Sequence, residues 1–258
     1  MTTAPPTLDT AAREALAELL LSVADDEFVI GFWDSEWTGI APMLEEDVAT
    51  SSIAQDEIGH ARAMYELLAE LTDDDADRIA YGRVLDDFRH AALLNHARGD
   101  WAFSVARRYL YETADAVRLT ALAGSSHEPL ALLAGKMRRE ETYHLLHADA
   151  WLRRLAEAGP ETRERLATAL RTLWPDAQEL FAPLAREGVL VRDGLLPSPM
   201  PALHAEWQRQ VRPILEPITG PLPDVIPSTD GRARRTDDFA WLHSEFTSVS
   251  RAEAGAMW

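Results

Sequence analysis

Residues 54–60 read AQDEIGH and residues 138–144 read RREETYH, so Glu57-x-x-His60 and Glu141-x-x-His144 repeat one spacing twice. Both motifs sit in stretches whose apolar residues recur with helical period, and both fall on the apolar stripe itself. A carboxylate in a helical core is costly unless it is paired or bound to a metal. The chain must therefore fold so that these side chains meet one another.

The stripes define which helices carry them. The first helix is predicted from an N-cap near Asp9 or Thr10 to about Trp37, stepping through Leu16, Leu20, Val23, Glu27 and Ile30. The second, about 42–71, steps through Ile53, Glu57, His60, Met64, Leu67 and Leu71. The third, about 101–123, carries Trp101, Val105, Glu112, Ala116 and Leu119. The fourth, about 128–157, carries Leu130, Ala134, Met137, Glu141, His144, Ala148, Trp151 and Leu155. Glu27 precedes Glu57 by 30 residues and Glu112 precedes Glu141 by 29, so the unit "Glu, then Glu-x-x-His on the next helix" occurs twice. Residues i and i+3 share a helix face, so one helix offers an oxygen and a nitrogen together. Four glutamates and two histidines suit two iron or manganese ions, the ligand pattern of ferritin-like carboxylate proteins. Asp56 and Glu140 directly precede the ligand-type glutamates and are candidate carboxylate partners for the outward ring nitrogens of metal-bound histidines. A solvated helix flank is the other reading of both.

The predicted fold is all-α, a ferritin-like four-helix bundle with additional helices and a Pro-rich C-terminal segment. One domain is expected over 1–258, with its core bundle at about 9–157. A connecting helical segment is expected near 77–97 and a further helix at about 161–187. Eight of the fifteen prolines fall in 197–227, which reads as a wrapping or interface stretch with a short helix at about 202–211. Residues 237–257 read as a final helix.

Composition narrows the function. There is no cysteine, which excludes disulfides, iron–sulfur clusters and thiolate zinc and fits a cytoplasmic location. The N-terminus lacks the basic and apolar regions of a secretory signal, and no run approaches a membrane span. A net charge of −18 argues against nucleic acid and anionic membranes as partners and suits solubility or a positively charged protein partner. His90, His96, His127, His147, His204 and His243 read as surface or interface residues. Arg107-Arg108, Arg138-Arg139 and Arg153-Arg154 read as solvated or paired with the acidic excess.

Several stretches together resemble a known group. SEWTGIAPMLEEDVA (35–49), GDWAFSVARRYLY (99–111), EETYHLLHADAWL (140–152) and WLHSEFTSVSRAEAGAMW (241–258) are similar to the phenylacetyl-CoA epoxidase subunits of the bacterial phenylacetate pathway. The likeness is to the smaller ferritin-like C subunit, PaaC, over nearly the whole chain. It implies membership of a multicomponent monooxygenase that activates O2 at a di-iron centre and epoxidises the ring of phenylacetyl-CoA. An NADPH-dependent reductase component and a catalytic A-type subunit are the implied partners, and a homodimer is a further assembly the reading admits. C subunits usually lack part of the ligand set, whereas Glu27, Glu57, His60, Glu112, Glu141 and His144 match the full pattern, and AQDEIGH is closer to A subunits. The resemblance therefore implies a C-type chain with a di-iron ligand set. The alternatives are a structural partner with a vestigial site, or a stand-alone ferritin-like oxidase.

Overall fold

The computed structural model describes residues 8–252, and their secondary structure is helical throughout. Two long helical hairpins form the centre: α1 (Thr10–Ser35) with α2 (Leu44–Thr72), and α4 (Trp101–Leu122) with α5 (Glu128–Glu157). A short α3 (Ala76–Tyr81) follows α2. The hairpins pack across α2 and α5, while α6 (Pro160–Ala177) and α8 (Met200–Thr219) lie along α4. A short α7 (Glu187–Arg192) packs on α1, and α9 (Asp237–Phe246) and α10 (Ser248–Ala252) end the described chain. The architecture is ferritin-like and all-α, as the stripes require.

Local chemistry sets the helix ends. The carboxylate of Asp9 accepts the Ala12 N–H at 2.8 Å, and that of Asp100 accepts Phe103 N–H at 2.9 Å, each capping a first turn. Gly159, at φ 137°, makes the turn into Pro160, which opens α6. The two hairpins then differ in how they are buried. Ser22 through Gly31 of α1 and Ser104 through Asp115 of α4 are buried without a break, whereas α2 and α5 bury only a stripe.

The structure departs from the sequence expectation in four places. The helical segment expected near 77–97 is helical only to Tyr81 and continues as extended chain with two 3-10 turns, 85–87 and 92–95. Its backbone is satisfied from α1: Arg89 N–H donates to Asp25 at 2.5 Å and Ala91 N–H to Asp26 at 2.8 Å, so helical bonding is unnecessary. The helix expected at about 161–187 ends at Ala177 with a 3-10 turn to Phe181, just before Pro183. Helix α8 outruns the expected 202–211 and passes through Pro213 and Pro217. Both prolines face outward, so the carbonyls they strand reach solvent, while Val211, Leu215 and Thr219 keep the inner stripe. The final helix breaks at Thr247 and resumes as α10 to Ala252, and 253–257 of the expected 237–257 lie outside the described residues.

Candidate metal centre

All four long helices deliver their ligand-type side chains to the bundle axis at one level. Glu27 comes from α1, Glu57 and His60 from α2, Glu112 from α4, and Glu141 and His144 from α5, and all six are buried. They form two overlapping groups, Glu27–Glu57–His60–Glu141 and Glu57–Glu112–Glu141–His144, in each of which the offered donor atoms lie within 4.8 Å of one another. Donors bound about 2.0–2.2 Å from one ion stand about 3–4.5 Å apart, so the spacing is of the right order for a divalent cation.

Ring orientation follows from the residues next to the glutamates. The Nε2–H of His60 donates to Glu140 Oε2 at 2.9 Å, and Nε2 of His144 approaches Asp56 Oδ2 at 3.3 Å. Each acidic residue thus serves the histidine of the other hairpin. Both outward nitrogens are occupied, which aims both Nδ1 atoms inward. His60 Nδ1 lies 3.1 Å from Glu141 Oε1 and 3.5 Å from Glu27 Oε2, and His144 Nδ1 lies 3.1 Å from Glu141 Oε1. In the first group, Glu27 Oε2, Glu57 Oε2, His60 Nδ1 and both Glu141 oxygens are buried without a hydrogen-bond partner. Orphaned buried donors and acceptors are what an ion would satisfy, so the first group fits a metal.

A buried arginine distinguishes the second group. Arg108, one turn before Glu112 on α4, sends Nη2 into contact with Glu57 Oε1 and Glu112 Oε1 and to 3.4 Å from His144 Nδ1. Its Nη1 donates to Asp34 Oδ2 at 2.7 Å. Neighbouring Arg107 is also buried, donating to the carbonyls of His96 and Ala97. The arginine pair does meet the acidic excess, but inside the bundle, while Arg138, Arg139, Arg153 and Arg154 are exposed.

This arrangement sets the charges. Burial would raise the Glu57 carboxyl, but the Arg108 charge, together with the polar groups of Glu27, His144 and His60 beside it, holds Glu57 well below the usual range. Glu27 has no such cation; burial and the Glu57 charge push it well up, and Tyr111 donates to its Oε1 at 2.9 Å. Burial opposes charge on the imidazoles, yet the carboxylates facing them, Glu141 first at 3.1 Å from each ring, prevail, lifting His144 to about 10 and raising His60 as well. Divalent-ion binding at such a cluster must therefore expel protons.

Several buried residues have no counterpart in the sequence reading. Asp25 is held by Tyr65 and Arg83, and Asp26 by Arg118 and by Arg232 from the C-terminal segment. His90 and His243, expected at a surface or interface, are buried against Phe239. Position offered one clue: Arg108 stands one helical turn from Glu112 and so shares its face.

The sequence of the chain matches the family described as phenylacetic acid catabolic protein over residues 1–258. The chain belongs to that family. It is 29% identical over 239 residues to the C subunit of the 1,2-phenylacetyl-CoA epoxidase of Escherichia coli (strain K12), spanning 92% of this chain and 94% of that one. It is 25% identical over 176 residues to the A subunit of the same organism's 1,2-phenylacetyl-CoA epoxidase, spanning 67% of this chain and 56% of that one. The resemblance carried by the quoted stretches is thus a family relationship. Among the described residues no helix is long and apolar enough to cross a membrane.

Proposed function

We propose that this chain is a C-type subunit of a phenylacetyl-CoA epoxidase-like monooxygenase, binding divalent metal in its own bundle and pairing with an A-type subunit. The carrying observation is the cluster of Glu27, Glu57, His60, Glu112, Glu141 and His144, with unpartnered donor atoms, in a chain related along its length to an epoxidase C subunit. Glu27, Glu57, His60 and Glu141 would hold the ion, with Glu140 and Asp56 fixing the ring nitrogens. Iron is the proposed metal, and the same donors accept manganese. An iron ion there supplies one-electron redox chemistry towards O2, with reducing equivalents from a reductase component.

Ring epoxidation itself belongs to the partner. The cavity that reaches Arg108, walled by Trp37, Trp101 and Trp151, measures about 30 Å³, room for about one water and not for an aryl ring. A surface depression on α4 and α6 presents Asp100, Glu161 and Glu164 against Arg165, a poor seat for the polyanion coenzyme A. The flank of α2 and α5 suits a protein partner: Leu44, Val48, Tyr143 and Leu146 are exposed where Glu46 and His147 bind the two helices together at 2.7 Å.

Metal analysis of the purified chain beside Glu57→Ala and His60→Ala tests the reading. Iron or manganese bound by the wild type and lost in the variants is the expected result; no more metal in the wild type than in the variants refutes it. Co-purification with an A-type subunit is the matching test of assembly.

A further inference from the structure

We propose that Arg108 is a built-in cation occupying the second ion position, so that the cluster takes one divalent ion where its six ligand-type residues imply two. The inference rests on the metal-binding reading above and fixes its stoichiometry. Nη2 of Arg108 touches Glu57 Oε1 and Glu112 Oε1 and lies 3.4 Å from His144 Nδ1. Those are three of the four residues of the second group. An ion bound about 2.0–2.2 Å from the same atoms would have to occupy the space of the guanidinium nitrogen. The two are mutually exclusive.

The guanidinium is also fixed where it stands. Asp34 grips its other nitrogen at 2.7 Å, and the adjoining cavity of about 30 Å³ offers little room for retreat. An arginine, unlike a lysine, does not step aside by losing its proton in a protein. Withdrawing it would strip a buried cation of three carboxylates at once, and uncompensated buried charge is strongly unfavourable.

The internal repeat shows that the arginine belongs to one half alone. Arg108 stands one turn before Glu112; the residue one turn before Glu27, in the matching half, is Val23, a buried apolar side chain. No cation enters the first group from that position, and Glu27 Oε2, Glu57 Oε2 and His60 Nδ1 there lack hydrogen-bond partners, whereas in the second group the Glu112 carboxylate, which also lacks them, is faced by the Arg108 guanidinium. One half of the cluster is open to an ion and the other is already neutralised by the chain.

Titration of the intact chain with Mn(II), followed by electron paramagnetic resonance and by metal content after desalting, tests this. The expected result is one Mn(II) per wild-type chain with an uncoupled spectrum, and two per chain, exchange-coupled, in Arg108→Met. Two ions in the wild type, or one in Arg108→Met, would overturn the arginine's role while leaving metal binding intact. No ion in either protein would overturn both. Two further variants leave Arg108 in place and cover a folding defect in Arg108→Met. Glu112→Gln should still bind one ion, whereas Glu27→Gln should lose it; equal losses in the two would overturn the proposal.

Discussion

His90 makes the acid stability of this protein calculable. Its ring is fully buried, its Nε2–H donates to Asn95 Oδ1 at 2.9 Å, its Nδ1 has no partner, and Phe239 lies 4.0 Å away, ring centre to ring centre. Burial, aided by the charge of Arg235, pushes its pKa from 6.5 down to about 3. The folded state thus refuses a proton that the unfolded chain accepts, so between those two values stability falls as pH falls. Each unit is worth about 1.4 kcal/mol, which gives about 2.7 kcal/mol lost by about pH 4.5 from this residue alone. His90→Gln removes the titration while its amide can still donate to Asn95. Urea unfolding of both proteins between about pH 7.5 and 4.5 should show the wild type losing about 2.7 kcal/mol more than the variant, since other titrating groups cancel in the difference. A constant offset sits on top of this and does not affect the slope. Parallel curves would refute the reasoning, because they would mean that His90 is protonated in the folded state or reached by water.

Gly31→Ala should destabilise the fold by about 1–3 kcal/mol, measured by urea denaturation, because its Cβ would meet Ile58 Cγ1 at 2.8 Å and Glu57 Cβ at 3.1 Å. An unchanged midpoint would mean that α1 and α2 can part without loss. Glu140→Gln should weaken Mn(II) binding about 10- to 100-fold, read by equilibrium titration, through the His60 contact it supports; wild-type affinity would show that the orientation of that ring is set elsewhere.

The long helices were legible because period, cap and breaker agree in them: Asp9, Asp100 and Gly159-Pro160 bound stripes whose core members are nearly all buried. The same periodicity placed the six cluster residues on inward faces, since phase along a helix is a local property. Pairing is not local. Arg108 reads as a surface arginine until α1 and α2 bring Asp34 and Glu57 to it, and Asp25 and Asp26 carry no sign that 82–100 will donate backbone N–H groups to them. For the same reason 77–97 read as helix. Buried His90 also depends on residues far along the chain, including Phe239.

The clamp of Arg232 on Asp26 has a consequence for how the chain is made. Asp26 lies in α1, fully buried, and both its oxygens are taken at 2.9 Å by a residue more than 200 positions later. Arg118 supplies an earlier partner once α4 exists, and until then α1 would bury an uncompensated charge if it packed in its final place. The first hairpin should therefore stay loosely assembled on the ribosome, with its acidic centre solvated, until α4 emerges, and Arg232 completes the clamp later. Synthesis at about 5–20 residues per second makes that an interval of about 5–18 seconds, during which the exposed hairpin depends on its own negative charge, or on chaperones, to avoid aggregation.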